Sequence, residues 1–120
     1  MSDKLYDYCI VGAGAAGLHL MMAMARDSWF DHKKILLIDK SEKSENDRTW
    51  CFWETSDGLW DKIIDHKWSS GKFISPEKEL DLQLQPYFYK KLRGIDFYNH
   101  AREVISSKKI ASLPFAMTFN

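Results

Sequence analysis

Tyr8-Cys9-Ile10-Val11-Gly12-Ala13-Gly14-Ala15-Ala16-Gly17 is the stretch on which the fold turns. An apolar run enters a Gly-x-Gly-x-x-Gly turn, and a helical run from Leu18 to Arg26 leaves it. A dinucleotide site needs that order. Gly12 permits the tight turn, Gly14 lets a pyrophosphate approach the backbone, and Gly17 lets the helix pack close to the strand. The N–H groups of Ala15, Ala16 and Gly17 then open the helix, where they and the helix dipole favour phosphate charge.

A glycine turn alone discriminates poorly, so its surroundings matter. Lys34-Ile35-Leu36-Leu37-Ile38 reads as a second strand and ends on Asp39, followed by Lys40. The dinucleotide fingerprint places an acidic residue about 20 positions past the glycines, where it accepts hydrogen bonds from a ribose. Asp39 stands at that place. Strand, helix and strand make one βαβ unit with a parallel pair. The competing reading is a glycine turn of another α/β fold in which Asp39 only ends a strand.

The 120 residues suffice for one small domain. A doubly wound sheet needs five or six strands. Two parallel strands are legible, and a third is expected between Ala111 and Phe119, where Pro114 suits a central strand badly. The reading is therefore an incomplete doubly wound sheet, residues 1–120 being the N-terminal part of a nucleotide-binding domain.

Charges balance at 17 Lys and Arg against 17 Asp and Glu. With no basic stripe, nucleic acid is excluded as a partner. The start, Met1 to Leu5, has no signal-peptide pattern. The most apolar segment, Ile10 to Ala25, is shorter than a membrane span and is broken by glycines. Cys9 and Cys51 lack metal spacing and suit a reduced, cytoplasmic setting. Cys9, inside the first strand, is expected in the core.

Further along, Ser41 to Arg48 is a polar loop and Thr49 to Glu54 an aromatic stretch. Leu59 to His66 has the spacing of a short helix. Lys67 to Leu84 reads as two antiparallel strands turning near Pro76. Pro86 to Gly94 reads as a basic, tyrosine-rich linker. Ile95 to Ser106 reads as an amphipathic helix with Phe97, Ala101, Val104 and Ile105 on one side. Lys90, Lys91 and Arg93 form a small basic cluster. It is either a solvated face or a contact for phosphates or a membrane surface. His19 on the first helix has no second ligand at i+4 and is read as a packed or partly exposed residue.

Asn46-Asp47-Arg48-Thr49-Trp50-Cys51-Phe52-Trp53-Glu54 carries a more specific signal. Together with the glycine turn, Leu36-Leu37-Ile38-Asp39-Lys40 and Tyr89-Lys90-Lys91-Leu92-Arg93-Gly94-Ile95-Asp96-Phe97-Tyr98, it resembles the lycopene cyclases of bacterial carotenoid biosynthesis. The resemblance runs from about Tyr6 to Val104. It implies a Rossmann-like FAD-binding βαβ unit with an antiparallel β insertion. It implies FAD held non-covalently in its reduced form, with NAD(P)H as reductant, and lycopene as the substrate, cyclised to β-carotene without net redox change. Carried over by position, Gly12, Gly14 and Gly17 hold the pyrophosphate and Asp39 the adenosine ribose, Arg48 lies near the cofactor, and Ala15, Ala16 and Lys40 count with them as cofactor-binding residues.

Cyclisation starts with a proton delivered to a carbon–carbon double bond. The donor must be a carboxylic acid kept neutral by apolar surroundings. Glu54, beside Trp50, Phe52 and Trp53, is the candidate. The competing reading pairs Glu54 with Arg48 and makes the rings ordinary core. The resemblance leaves two functional alternatives open: another FAD-dependent oxidoreductase (a monooxygenase or a prenyl-lipid reductase) with the same front end, or an inactive truncated product.

Overall fold

The computed structural model describes residues 5–108 and the backbone of 111–114. The protein is mixed α/β with several sheets, divided into two compact units, Met1–Ser44 with Tyr98–Asn120, and Glu45–Phe97.

The first unit is built on a parallel sheet. Strand β1 (Tyr8–Val11) is followed by helix α1 (Ala15–Arg26) and strand β2 (Ile35–Asp39). Tyr8 pairs with Ile35 and Val11 with Ile38, in parallel register. All of Ile35 to Ile38 is buried, as expected of a central parallel strand. Helix α1 turns Leu18, Met21 and Met22 inward, each almost fully buried. Burial on that scale stabilises by about 1.5–3 kcal/mol per side chain. The helix ends at Arg26, where the helical run of the sequence ends. Asp27 leaves helical geometry and its carboxylate accepts from Trp29 N–H, starting a 3-10 turn over Ser28–Phe30.

The eighth strand, β8 (Ala111–Pro114), pairs in parallel with β2, giving the order β1-β2-β8. The expected third parallel strand is thus present. Pro114 is its last residue, opposite Asp39, where a missing N–H costs least. The remainder of the expected strand, 115–119, lies outside the described residues. Cys9 is exposed rather than in the core. It sits on β1, whose neighbour among the described strands is β2, and beside Ile10, the one residue of β1 turned inward and buried.

The second unit falls between β2 and β8 in the sequence and is antiparallel. Strands β3 (Thr49–Glu54), β4 (His66–Trp68) and β7 (Phe88–Arg93) form one sheet with β7 in the middle. Strands β5 (Ser70–Ile74) and β6 (Glu79–Gln83) form a separate hairpin. Its turn runs through Ser75 to Lys78, as Pro76 suggested. The hairpin alternates sharply. Phe73 lies opposite Leu80, whereas Lys72 lies opposite Asp81 and bonds Glu79.

Two expectations fail in this unit. Residues 59–66 do not form a helix. Leu59 to Ile63 make one hydrogen-bonded turn, closed by Ile63 and Ile64 N–H on Trp60 C=O, and His66 already belongs to β4. A single turn gains too few bonds to offset helix nucleation. The supposed linker at 86–94 is in fact β7, the central strand of the sheet. Its inward residues are Phe88, Lys90 and Leu92, and the lysine in the middle hides the alternation that marks a strand.

Helix α2 (Gly94–Lys108) follows β7 without a loop. Its first residues, through Phe97, belong to the second unit and the rest to the first. Phe97, Tyr98 and Ala101 are buried, while Val104 and Ile105 are only partly covered.

Candidate functional site

The glycine turn has the geometry its sequence requires. Gly12 has φ +102°, a conformation that side-chain-bearing residues rarely adopt. Its N–H donates to Ile38 C=O at 2.6 Å, tying the turn to β2. A Cβ on Gly17 would stand 1.8 Å from Gly12 O, so helix and turn touch backbone to backbone. A Cβ on Gly14 would meet nothing within 4 Å. The turn is therefore closed beneath Gly17 and open above Gly14, where a phosphate group has room.

Helix α1 begins beside that opening. Gly14 is its N-cap and offers no side-chain cap. The first intrahelical bond is Leu18 N–H to Gly14 C=O. Helical geometry leaves the N–H groups of Ala15, Ala16 and Gly17 without an intrahelical acceptor. These are the donors an anion would use.

Asp39 comes to the same place from β2. Its Oδ2 accepts from Ala13 N–H at 2.6 Å and its Oδ1 from Ser41 N–H at 2.7 Å. A carboxylate has about four lone-pair positions, so these two bonds leave capacity for ribose hydroxyls. A cavity of about 500 Å3 opens here, bounded by Ala13, Leu18, Leu37 and Asp39 on one side and by Lys43, Tyr98 and Arg102 on the other. Its walls are mostly apolar with a few convergent polar groups, the usual make-up of a small-molecule site. Lys40, the residue after Asp39, is exposed.

The other sequence candidates, Arg48 and Glu54, lie in the second unit. Arg48 is exposed, and its backbone does the visible work. Its C=O accepts from Gly94 N–H at 2.6 Å, and a Cβ on Gly94 would stand 2.8 Å from the same oxygen. Asn46 Oδ1 accepts from Ile95 N–H at 3.3 Å. The Asn-Asp-Arg segment thus secures the start of α2.

Glu54 is not paired with Arg48. Its Oε2 lies 3.6 Å from Lys90 Nζ, and its carboxylate occupies the space that a Cβ on Gly58 would need. Lys90 is completely buried. Its ammonium also donates to Asp61 Oδ1 at 2.6 Å and to Ser56 C=O at 2.9 Å. Burial opposes the charge of Lys90, but Asp61 and Glu54 outweigh it and raise its pKa above the ordinary value. The Lys90 bond holds the Asp61 carboxyl below the usual carboxylate range.

The basic cluster seen in the sequence is neutralised in place. Lys91 pairs with Asp65 at 2.8 Å, and Arg93 pairs with Asp96 at 2.7 Å. Lys90, the third member, is buried.

The aromatic stretch divides by strand alternation. Trp50, Phe52 and Glu54 face inward. Trp50 and Trp60 each set an edge against Phe97, at 5.2 and 5.3 Å between ring centroids. Cys51 and Trp53 face outward. There Trp53, Tyr89 and Trp68 form a row across three strands, with centroids 4.7 and 5.9 Å apart.

A sequence profile for the family described as lycopene cyclase protein matches residues 7–106, from the first strand through α2. The chain belongs to the lycopene cyclase family. That membership places it in carotenoid cyclisation and makes a lycopene-type carotenoid its substrate class. No curated protein sequence matches the chain. The matched residues fall in both units.

Among the described residues no helix is long and apolar enough to cross a membrane, and no group of three or more metal-ligating side chains gathers. His19 is exposed, with Nδ1 bonded to Ala15 C=O. Sequence reasoning missed Asp61 and Arg102. Asp61 sits in a turn that looked helical. Arg102 sits on the polar side of α2, where a charge is unremarkable.

Proposed function

We propose that the first unit binds FAD and that the protein acts as a lycopene β-cyclase. Gly12, Gly14 and Gly17 shape the pyrophosphate seat. The N–H groups of Ala15 and Ala16 donate to its oxygens, and Asp39 accepts from the adenosine ribose. The observation that carries this reading is the Asp39 to Ala13 hydrogen bond at 2.6 Å. It brings the acid of one strand to the glycine turn of the other, beside open space and unshared helix donors. A glycine turn that merely ended a strand needs none of these together.

When bound, reduced flavin supplies an electron-rich ring that favours positive charge developing on a polyene, and NAD(P)H keeps it reduced. The chain's own residues hold the nucleotide and keep its phosphates at the helix start. Glu54 serves in this reading as the counter-ion of Lys90. Proton donation to carbon needs a neutral acid, and a carboxylate set against an ammonium is the wrong form.

The test is expression of the gene in cells that accumulate lycopene. Conversion to β-carotene, with no stoichiometric NAD(P)H consumption, is the expected result. Consumption of one NAD(P)H per product would mark an oxidoreductase instead. Persistently red cells containing soluble, FAD-loaded protein would rule out the cyclase reading.

A further inference from the structure

The loop after β2 is tied to the glycine turn on one side and to α2 on the other by an unbroken series of hydrogen bonds, all within the first unit. Ala13 N–H donates to Asp39, Ser41 N–H donates to Asp39, and Lys43 N–H donates to Ser41 Oγ at 3.2 Å. The carbonyls of Glu42 and Lys43 both accept from Arg102 Nη2. Arg102 Nη1 donates to Asn99 Oδ1 at 3.0 Å, which steadies the guanidinium one turn along its own helix.

Lys43 has φ +54°, the one described side-chain-bearing residue in the left-handed region. Such a conformation costs on the order of 1 kcal/mol for a residue with a Cβ and persists where neighbouring contacts impose it. Arg102 supplies that contact through the Lys43 carbonyl. The result aims the Lys43 ammonium at the cavity, 5.6 Å from the centroid of the Tyr98 ring and 3.9 Å from Asp39 Oδ1.

The geometry points to Arg102 as a positioning residue for the nucleotide. It pins the 41–44 loop as a wall of the cavity and thereby fixes the Asp39 carboxylate for the adenosine ribose. This rests on the nucleotide-binding reading above. The ligand class is an adenosine diphosphate moiety, and Arg102 acts on it by holding the loop.

The experiment is calorimetric titration of the chain with ADP. Arg102→Ala is expected to weaken ADP binding about tenfold, with the melting temperature unchanged within a few degrees, because Arg102 is exposed. Arg102→Lys, which keeps the charge but not the fork, should recover part of the loss. Glycine adopts a positive φ without strain. In a Lys43→Gly background, therefore, Arg102→Ala should cost threefold or less. Equal ADP affinity with and without Arg102 overturns the inference while leaving the nucleotide site intact. So does an equal loss in both backgrounds. A folded wild-type chain that binds no ADP overturns the nucleotide reading itself.

Discussion

The Lys90 ammonium lies 2.6 Å from the Asp61 carboxylate, and none of the lysine is exposed to solvent. The pair joins the middle strand of the antiparallel sheet to the turn at residues 58–64, and Glu54 adds a second carboxylate at 3.6 Å. That turn also presents Trp60 to Phe97. One buried charge thus fixes how the inner face of the sheet is covered.

Removing one partner of such a pair leaves a charge without compensation. Lys90→Met is expected to destabilise the protein by about 2–4 kcal/mol, measured by urea unfolding. Lys90→Met combined with Asp61→Asn should recover part of that loss, because of the two carboxylates left without the ammonium only Glu54 then stays charged. A Lys90→Met protein as stable as wild type would show that the lysine is not buried in solution.

The same contacts set a pH dependence. Asp61 and Asp65 have carboxyl pKa values lowered below 3.8, Asp61 first through its Lys90 bond and Asp65 first through its Lys91 bond. A folded-state pKa below the unfolded one gives stability that is present above the unfolded value and lost as pH falls through the folded one. Stability should hold from neutral pH to about pH 4 and then drop. Asp61→Asn should start less stable at neutral pH and show a shallower fall, as read from urea midpoints between pH 3 and 7.

Gly14 and Gly17 should respond to alanine in opposite ways. Gly17→Ala places a Cβ 1.8 Å from Gly12 O, so strand and helix must separate. A loss of about 1–3 kcal/mol, the usual range for overpacking, is expected, along with loss of nucleotide binding. Gly14→Ala meets nothing in the protein. Its melting temperature should stay within a few degrees of wild type while FAD affinity falls at least tenfold, because the methyl group intrudes where the phosphates approach. Calorimetry and thermal melts together separate the two.

Glu54 offers a direct check on the division between structure and chemistry. If it is the counter-ion of Lys90, Glu54→Gln should lower the melting temperature by a few degrees and leave most of the cyclisation in lycopene-accumulating cells. Abolished cyclisation in a stable, FAD-loaded Glu54→Gln protein would return it to the role of proton donor.

Much of the first unit was legible in the sequence because its signals are local. Gly12 needs a positive φ, Gly17 needs contact, and the apolar run of β2 ends on Asp39 with no tertiary information required. The antiparallel sheet was less legible because a long-range charge pair shapes it. Lys90 at an inward position disguised β7 as a basic linker. Asp61, drawn to Lys90, sits in a turn whose spacing of Leu59, Ile63 and Ile64 imitates a helix. Arg48 also holds Gly94 through its backbone carbonyl, a contact that no side-chain pattern announces. Sequence pattern marks side chains and is silent on such backbone contacts.

The most direct test of the central claim is titration of the chain with FAD, followed by calorimetry and flavin fluorescence, beside an Asp39→Ala variant. The account predicts one FAD per chain, with binding weakened at least tenfold in Asp39→Ala and fold retained by circular dichroism. A folded wild-type chain that leaves FAD free, or an Asp39→Ala variant that binds it equally well, would contradict the account.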